Sequence, residues 1–360
     1  MAKSFLLVFL CGLLVAGSAL AREITASERL RVWIDTDAAC GAGARTDPDD
    51  CFALAYLLGR DDLDIVGVST VFGNAPLEET DRITRLVLAL EQDSTKPPIP
   101  VYRGAAAAGA VAASPASRAL VAALESGPLT ILALGPLTNL QAVFEPRPTL
   151  ATRVTQLVVM MGKREGHLFH PTEGAEGAML FGHGPIFRDF NFCEDSDAVR
   201  ALMDIALPTI LIPYELARQV LLSGSDLARL ERVGVPNHPG GAGARVAEIA
   251  RRSSAWLSFW QTSVGHDGFY PFDLVAAIYL TRPDYFSCAK IGAWIGSDRK
   301  AYGPFAGPEA LMVAARETEA IRTVTYCDRL TPSAVGAISG EAGFHDHMMS
   351  ALGAPLRPAL

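Results

Sequence analysis

Asp35, Asp37, Asp47, Asp49 and Asp50 put five carboxylates into one short stretch of the chain. Like charges held that close raise one another's pKa values and repel unless something positive sits among them. A helix N-terminus supplies about half a unit charge, which Asp49 and Asp50 are placed to exploit. A hard divalent cation would settle the rest, and an all-oxygen site favours calcium or magnesium over zinc. A solvated acidic loop that caps a helix is the plainer reading of the same residues.

The elements that must carry these residues alternate in type. Residues 31–34 form a short apolar strand that runs straight into Asp35-Thr36-Asp37. Asp49-Asp50 then opens an apolar segment of helical character at 51–58. Residues 64–72 read as a second buried strand closing on Gly73-Asn74, and 78–90 carries Ile83, Leu86, Val87 and Leu90 at helical spacing. Short strands follow at 99–102 and 129–134, the latter turning at Gly135-Pro136 into a helix at Thr138-Asn139. Continuous apolar runs at 156–161 and 209–212 complete the series. Strands apolar on both faces and alternating with helices predict an α/β fold, a single open, mostly parallel (mixed) sheet with helices on both faces. Ligands bind beyond the carboxyl ends of the strands in such sheets, where the polar motifs lie. Two stretches, 163–188 and 235–245, read as long loops of the kind that cover active sites.

Bulk properties narrow the partners. Lys3, the apolar run 5–16 and Ala19-Leu20-Ala21 predict a secretory signal peptide over 1–21, leaving one domain over 22–360. Cys11 lacks the small residue expected before a lipidated cysteine, so a secreted or periplasmic protein free of the membrane is expected. Half of the 360 residues are hydrophobic and 19% are charged, which suits a sizeable core. A formal charge of −8 argues against a nucleic-acid partner and for small neutral substrates or a bound cation. A homo-oligomer stays open. Beyond the signal lie Cys40, Cys51, Cys193, Cys288 and Cys327, with no C-x-x-C pair for zinc. Buried free thiols are the default expectation for these five.

Asp35-Thr36-Asp37 followed by Asp49-Asp50-Cys51-Phe52-Ala53-Leu54 resembles the D-T-D-x-G-x-D-D-x-x-A-L start of the inosine-uridine-preferring nucleoside hydrolases. Similar segments follow in order. They are Thr70-Val71-Phe72-Gly73-Asn74, Leu134-Gly135-Pro136-Leu137-Thr138-Asn139, Val158-Val159-Met160-Met161-Gly162, Asp189-Phe190-Asn191, Ile212-Pro213-Tyr214-Glu215-Leu216 and Phe272-Asp273-Leu274-Val275-Ala276-Ala277. The resemblance implies calcium-dependent cleavage of a nucleoside or related N-riboside into sugar and base, as in purine or pyrimidine salvage. It implies a Ca2+ held by Asp37, Asp50, the Leu134 carbonyl and Asp273, with Asp37 also the general base on water. Asp49 and Asn191 match positions that hold ribose hydroxyls; Asn74, Asp189 and His183 fall near others lining the sugar pocket, and Met161 lies beneath the ribose.

Departures from the pattern carry their own expectations. Extra residues at 38–48 must rebuild the metal loop, with Asp47 an added candidate ligand and a Cys40–Cys51 disulfide a way to close it. Lys163 replaces a glycine and would crowd or charge the pocket. Asp189 is one methylene shorter than the family's glutamate, so its hydroxyl contact would need a water. Phe272 stands where many members carry the histidine that protonates the departing base. His266, Asp267 and Tyr270 just upstream, or His167 and His170 in the expected lid, are the candidate replacements. Trp256 and Trp260, at i, i+4 spacing, either stack on a base or pack in the core.

Two other functions compete. Asp35 and Asp37 could serve as nucleophile and acid of a haloacid-dehalogenase-type phosphatase, although Ala39 stands where that motif wants threonine or valine. An exported nucleoside- or sugar-binding protein could have kept the fold without the catalysis.

Overall fold

Alternate residues of the central strands face two separate cores, and that two-sided burial is what makes the sheet. Val32 and Ile34 pack into one core with Leu132, Leu134, Val158, Ile210 and Ile212, while Trp33, Ile131, Ala133, Leu157, Val159 and Leu211 enter the other. A strand's period of two sends neighbours to opposite faces, so a continuous apolar run is buried on both. The structure is a computed structural model that describes residues 29–90, 97–167, 188–233, 243–298, 309–314, 322–335 and 343–354. Residues 1–21, the expected signal peptide, and His170 and His183 lie outside the described residues, as does most of each long loop.

Twelve strands are described: β1 (Leu30–Thr36), β2 (Leu63–Thr70), β3 (Val101–Arg103), β4 (Leu129–Ala133), β5 (Val154–Met160), β6 (Lys163–Arg164), β7 (Thr209–Ile212), β8 (Leu222–Ser223), β9 (Gly268–Phe269), β10 (Phe286–Gly296), β11 (Ala310–Ala314) and β12 (Arg322–Leu330). Ten of them form one open sheet in the order β3-β2-β1-β4-β5-β7-β12-β10-β11-β6, and β8 pairs with β9 alone. The run from β3 to β12 is parallel throughout, and β10 then pairs antiparallel with both β12 and β11. Lys163-Arg164 departs from the expected loop by pairing with β11 at the sheet's far edge. Helices cover both faces: α1 (Asp49–Leu58), α2 (Leu77–Ala89), α3 (Pro115–Glu125), α4 (Thr138–Phe144), α5 (Phe190–Glu194), α6 (Ser196–Met203), α7 (Tyr214–Ala217), α8 (Gly224–Val233), α9 (Ala244–Arg252), α10 (Ser254–Phe259), α11 (Phe272–Thr281) and α12 (Phe344–Ala351). A π-helical turn at Trp260–Val264 extends α10 and ends on Gly265 with φ 85°. No described helix is long and apolar enough to cross a membrane.

The cysteines overturn the free-thiol expectation for four of the five. Cys40 and Cys51 are joined, with Cα atoms 6.2 Å apart, and close the inserted loop. Cys288 and Cys327 face each other across β10 and β12 and are joined as well. The pairing register brings these two together, although 39 residues separate them in the chain. Cys193 alone is free, and it is exposed.

Candidate active site

Five parallel strands end at one cavity of about 470 Å³. Asp37 follows β1, Gly73 and Asn74 follow β2, Leu134 follows β4, Met160 and Met161 close β5, and Tyr214 follows β7. The first turns of two helices complete the floor, Asp49 and Asp50 from α1 and Phe272 and Asp273 from α11. Carboxyl ends of strands and amino ends of helices meet here because strand and helix run antiparallel in each βα unit. The helix termini contribute partial positive charge under the acidic cluster.

Asp49, Asp50 and Asp273 each bring one carboxylate oxygen to within 4.8 Å of the others. Asp49 ties the helices together: its Oδ1 accepts the Asp50 amide at 3.0 Å and its Oδ2 the Asp273 amide at 3.1 Å. Asp50 accepts the Thr36 hydroxyl. Asp37 accepts the Asn74 amide at 2.8 Å and lies against Asp50. Two glycines let it fit. A Cβ on Gly73 (φ 147°) would fall 2.1 Å from an Asp37 oxygen, and one on Gly135 would fall 3.1 Å from its Cγ. Burial first, then the neighbouring carboxylates, pushes Asp37, Asp47 and Asp273 well above the usual carboxylate range and Asp49 up to about 7. Asp50 is also raised by burial. So many buried carboxyls cannot all ionise unaided, and Asp273 Oδ1 has no hydrogen-bond partner. An all-oxygen donor set with an orphaned buried oxygen fits a hard divalent cation.

The other wall carries the predicted sugar contacts. Asn191 donates to the carbonyls of Leu134 at 2.5 Å and Met160 at 3.1 Å. Asp189 caps α5 by accepting the Phe192 amide and also accepts the Gly162 amide at 2.9 Å; burial pushes it up to about 6. Both side chains line the cavity with Met161. Asn74 lines it too, but its amide is spent on the inserted loop, accepting from the Asp47 amide at 3.0 Å and donating to the Asp47 carbonyl at 2.8 Å.

Lys163 does not enter the cavity as expected: it is buried and paired with Asp298 at 2.7 Å. Of the three residues proposed to act on the base, Phe272 reaches the cavity, whereas His266 and Tyr270 stand behind it. Their rings pack in series, His266 against Trp260 and Tyr270, and Tyr270 against Phe272 and Tyr214. No histidine lines the cavity among the described residues, His167 included. Trp256 lines it while Trp260 is wholly buried, so the pair divides between the two readings. Asp35, the nucleophile of the phosphatase reading, is fully buried off the cavity. It accepts from Ser69 and Asn139, and burial pushes it up to about 6. A nucleophile sealed there could not meet a substrate, so that reading falls.

Sequence reasoning assigned no role to Arg45, Arg188, Phe190, Glu194 or Tyr214, all of which line the cavity. Only Arg45 left a signal, a cation set inside the acidic insertion.

A carboxylate cluster at the C-terminal edge of a doubly covered, mostly parallel sheet, facing a concave wall of polar side chains, defines a hydrolase site of the nucleoside-cleaving kind. Residues 32–328 match the family described as inosine-uridine preferring nucleoside hydrolase, and the chain belongs to this family of N-ribosyl hydrolases. It is 24% identical to a non-specific ribonucleoside hydrolase of Klebsiella pneumoniae over 72% of this chain and 81% of that one. With uridine nucleosidase 1 of Arabidopsis thaliana it shares 25% identity over 68% and 75% of the two chains. Among solved structures it resembles a purine-preferring ribonucleoside hydrolase from Gardnerella vaginalis, with a TM-score of 0.64 at 17% identity over 89% of this chain and 98% of the other. That likeness concerns the fold.

Proposed function

We propose that this chain is an exported, calcium-dependent ribonucleoside hydrolase that releases ribose and a free base. One observation carries the reading: the acidic cluster and the polar wall of Asp189 and Asn191 face the same cavity in a chain of this family. Asp37, Asp50, Asp273 and the Leu134 carbonyl would hold the ion, with Asp49 beside them. The carbonyl oxygen keeps a second lone pair beyond its bond to Asn191. When bound, a hard cation lowers the pKa of water and offsets negative charge in the site. Asp37, fixed by the Asn74 amide and the two glycines, takes the proton from the attacking water. Asp49, Asp189 and Asn191 orient the ribose hydroxyls over Met161. Positive charge that develops on the sugar ring is stabilised by the surrounding carboxylates. Two disulfides support an oxidising compartment, in keeping with the signal-like N-terminus.

Ribose release from a panel of nucleosides, with and without a chelator, tests the activity. Metal analysis of the purified protein should find one calcium, lost in Asp50→Ala and in Asp273→Ala. A cation retained in full by both variants, or ribose release indifferent to chelation, would sink the metal assignment. Nucleoside binding without any ribose release would favour a binding protein.

A further inference from the structure

The base must leave a cavity walled by carboxylates, and no imidazole lines it among the described residues. A base departing with its bonding electrons is anionic, so a nearby cation lowers the barrier and a nearby carboxylate raises it. Among the described residues two cations line the cavity, Arg45 and Arg188. Arg188 sits beside Asp189, at the end that holds the sugar hydroxyls. Arg45 sits on the aromatic side. Its guanidinium lies 5.4 Å from the centroid of the Phe259 ring, and Phe259 stacks at 5.2 Å on Trp256, whose indole lines the cavity.

The loop that delivers Arg45 is built to hold it there. The Cys40–Cys51 bridge closes the loop onto α1. Asn74 clamps Asp47 from both sides, and Asp47 in turn accepts the Asp49 amide at 3.2 Å. Thr46 closes the turn on Gly43 through bonds of 2.9 and 3.2 Å, one residue from Arg45. Gly41, at φ 71°, lets the loop press against Arg252 of α9. Arg45 itself is exposed while it lines the cavity, and this support fixes the backbone that carries it.

Resting on the hydrolase reading above, we infer that Arg45 is the leaving-group residue, its guanidinium stabilising the departing base in place of an imidazole acid. The bond from the anomeric carbon to the base nitrogen breaks, and both electrons go to nitrogen. The water oxygen forms the new bond to that carbon, and its proton passes to Asp37. A guanidinium contributes charge and a fork of hydrogen-bond donors rather than a transferable proton. The free base takes a proton from solvent after release, and Asp37 returns one to solvent, which balances the hydrolysis. The chemistry this favours is a base with carbonyl oxygens that spread the negative charge toward a forked donor.

Kinetics with two substrates test the inference: inosine, whose base leaves poorly, and a nitrophenyl riboside, whose aryl oxide leaves unaided. Arg45→Gln should lower kcat for inosine by about a hundredfold or more, the usual effect of losing one preorganised donor. The same variant should hold nitrophenyl riboside turnover within about threefold, which also shows that it folds and keeps its base and cation. Arg45→Lys should fall between the two on inosine. Equal losses on both substrates, or none on either, would overturn the role of Arg45. So would a parent protein that cleaves only the aryl riboside, since it would have no leaving-group activation to explain. A parent that cleaves neither would overturn the hydrolase reading itself, and Arg45 with it.

Discussion

At the scale of single residues the site turns on where each carboxylate is held. Asp35 and Asp37 are two residues apart, yet they do different work because Asp35 is held inside β1, whereas Asp37 follows the strand's last residue, Thr36, where the chain leaves the sheet. Asp35 ties β1 to β2 and to Asn139 below the cavity, while Asp37 emerges into it. Asp37→Asn removes the base and keeps an oxygen to accept the Asn74 amide, so the fold should survive. Turnover of any riboside should drop by roughly a hundred- to ten-thousandfold, the typical loss for a positioned general base. A variant that matches the parent rate in a ribose-release assay would remove Asp37 from the mechanism. Phe272 shows the complementary case. It stacks on Tyr214 at 5.8 Å and turns a flat apolar surface to the cavity.

At the scale of elements the loop between β1 and α1 carries both the Cys40–Cys51 bridge and Arg45. A loop of this length would ordinarily wander. Here the disulfide, the Asn74 clamp and the packing on α9 give it one path, and that path ends at the cavity. Replacing both Cys40 and Cys51 by serine should lower unfolding free energy by about 2–3 kcal/mol, mainly because the unfolded chain regains freedom. Urea titration of the double variant reads that directly. Its inosine turnover should fall further than its nitrophenyl riboside turnover, since Arg45 loses its fixed approach. A double variant as stable as the parent, with the same substrate ratio, would make the bridge incidental.

Across the whole molecule, α8 and α12 are joined through Asp226, which does not line the cavity. Ser223 and Asp226 cap α8 reciprocally, the Ser223 Oγ accepting the Asp226 amide at 3.1 Å and Asp226 Oδ2 accepting the Ser223 amide at 3.1 Å. His345 of α12 donates to the same carboxylate at 3.0 Å. Burial would raise the Asp226 carboxyl, but the bonds from His345 and Ser223 outweigh it and hold the group well below the usual carboxylate range. A carboxyl depressed in the folded state stabilises the fold above its unfolded pKa, and that contribution fades as pH falls toward the folded value. Asp226→Asn should therefore cost about 1–2 kcal/mol near neutral pH, a cap and a buried hydrogen bond together. The gap to the parent should narrow steadily below about pH 4, where an unfolded aspartate takes up its proton. Denaturant melts across that range check it, and a gap constant with pH would mean the carboxylate charge contributes nothing.

The sequence by itself determined the parallel half of the sheet and the family, because both are written in local signals. Two-faced apolar runs announce buried strands, and polar motifs at strand ends announce a site. Asp37, Asp49, Asp50, Asn74, Leu134, Met161, Asp189, Asn191, Phe272 and Asp273 were picked out by the family resemblance of the motifs that hold them, and all line one cavity. What the tertiary structure alone decided were contacts between segments distant in the chain. The antiparallel edge of β10, β11 and β12 and its Cys288–Cys327 bridge depend on a pairing register that no local pattern encodes. His266 and Tyr270 are withdrawn behind Phe272 because the turn after α10 points their rings at Trp260 rather than at the cavity. Lys163 is turned away by Asp298, a partner 135 residues on, and Arg45 lies over the ring of Phe259, 214 residues on. A side chain's direction is set by whichever distant groups satisfy its charge and its surface, and those meet it only once the chain has folded.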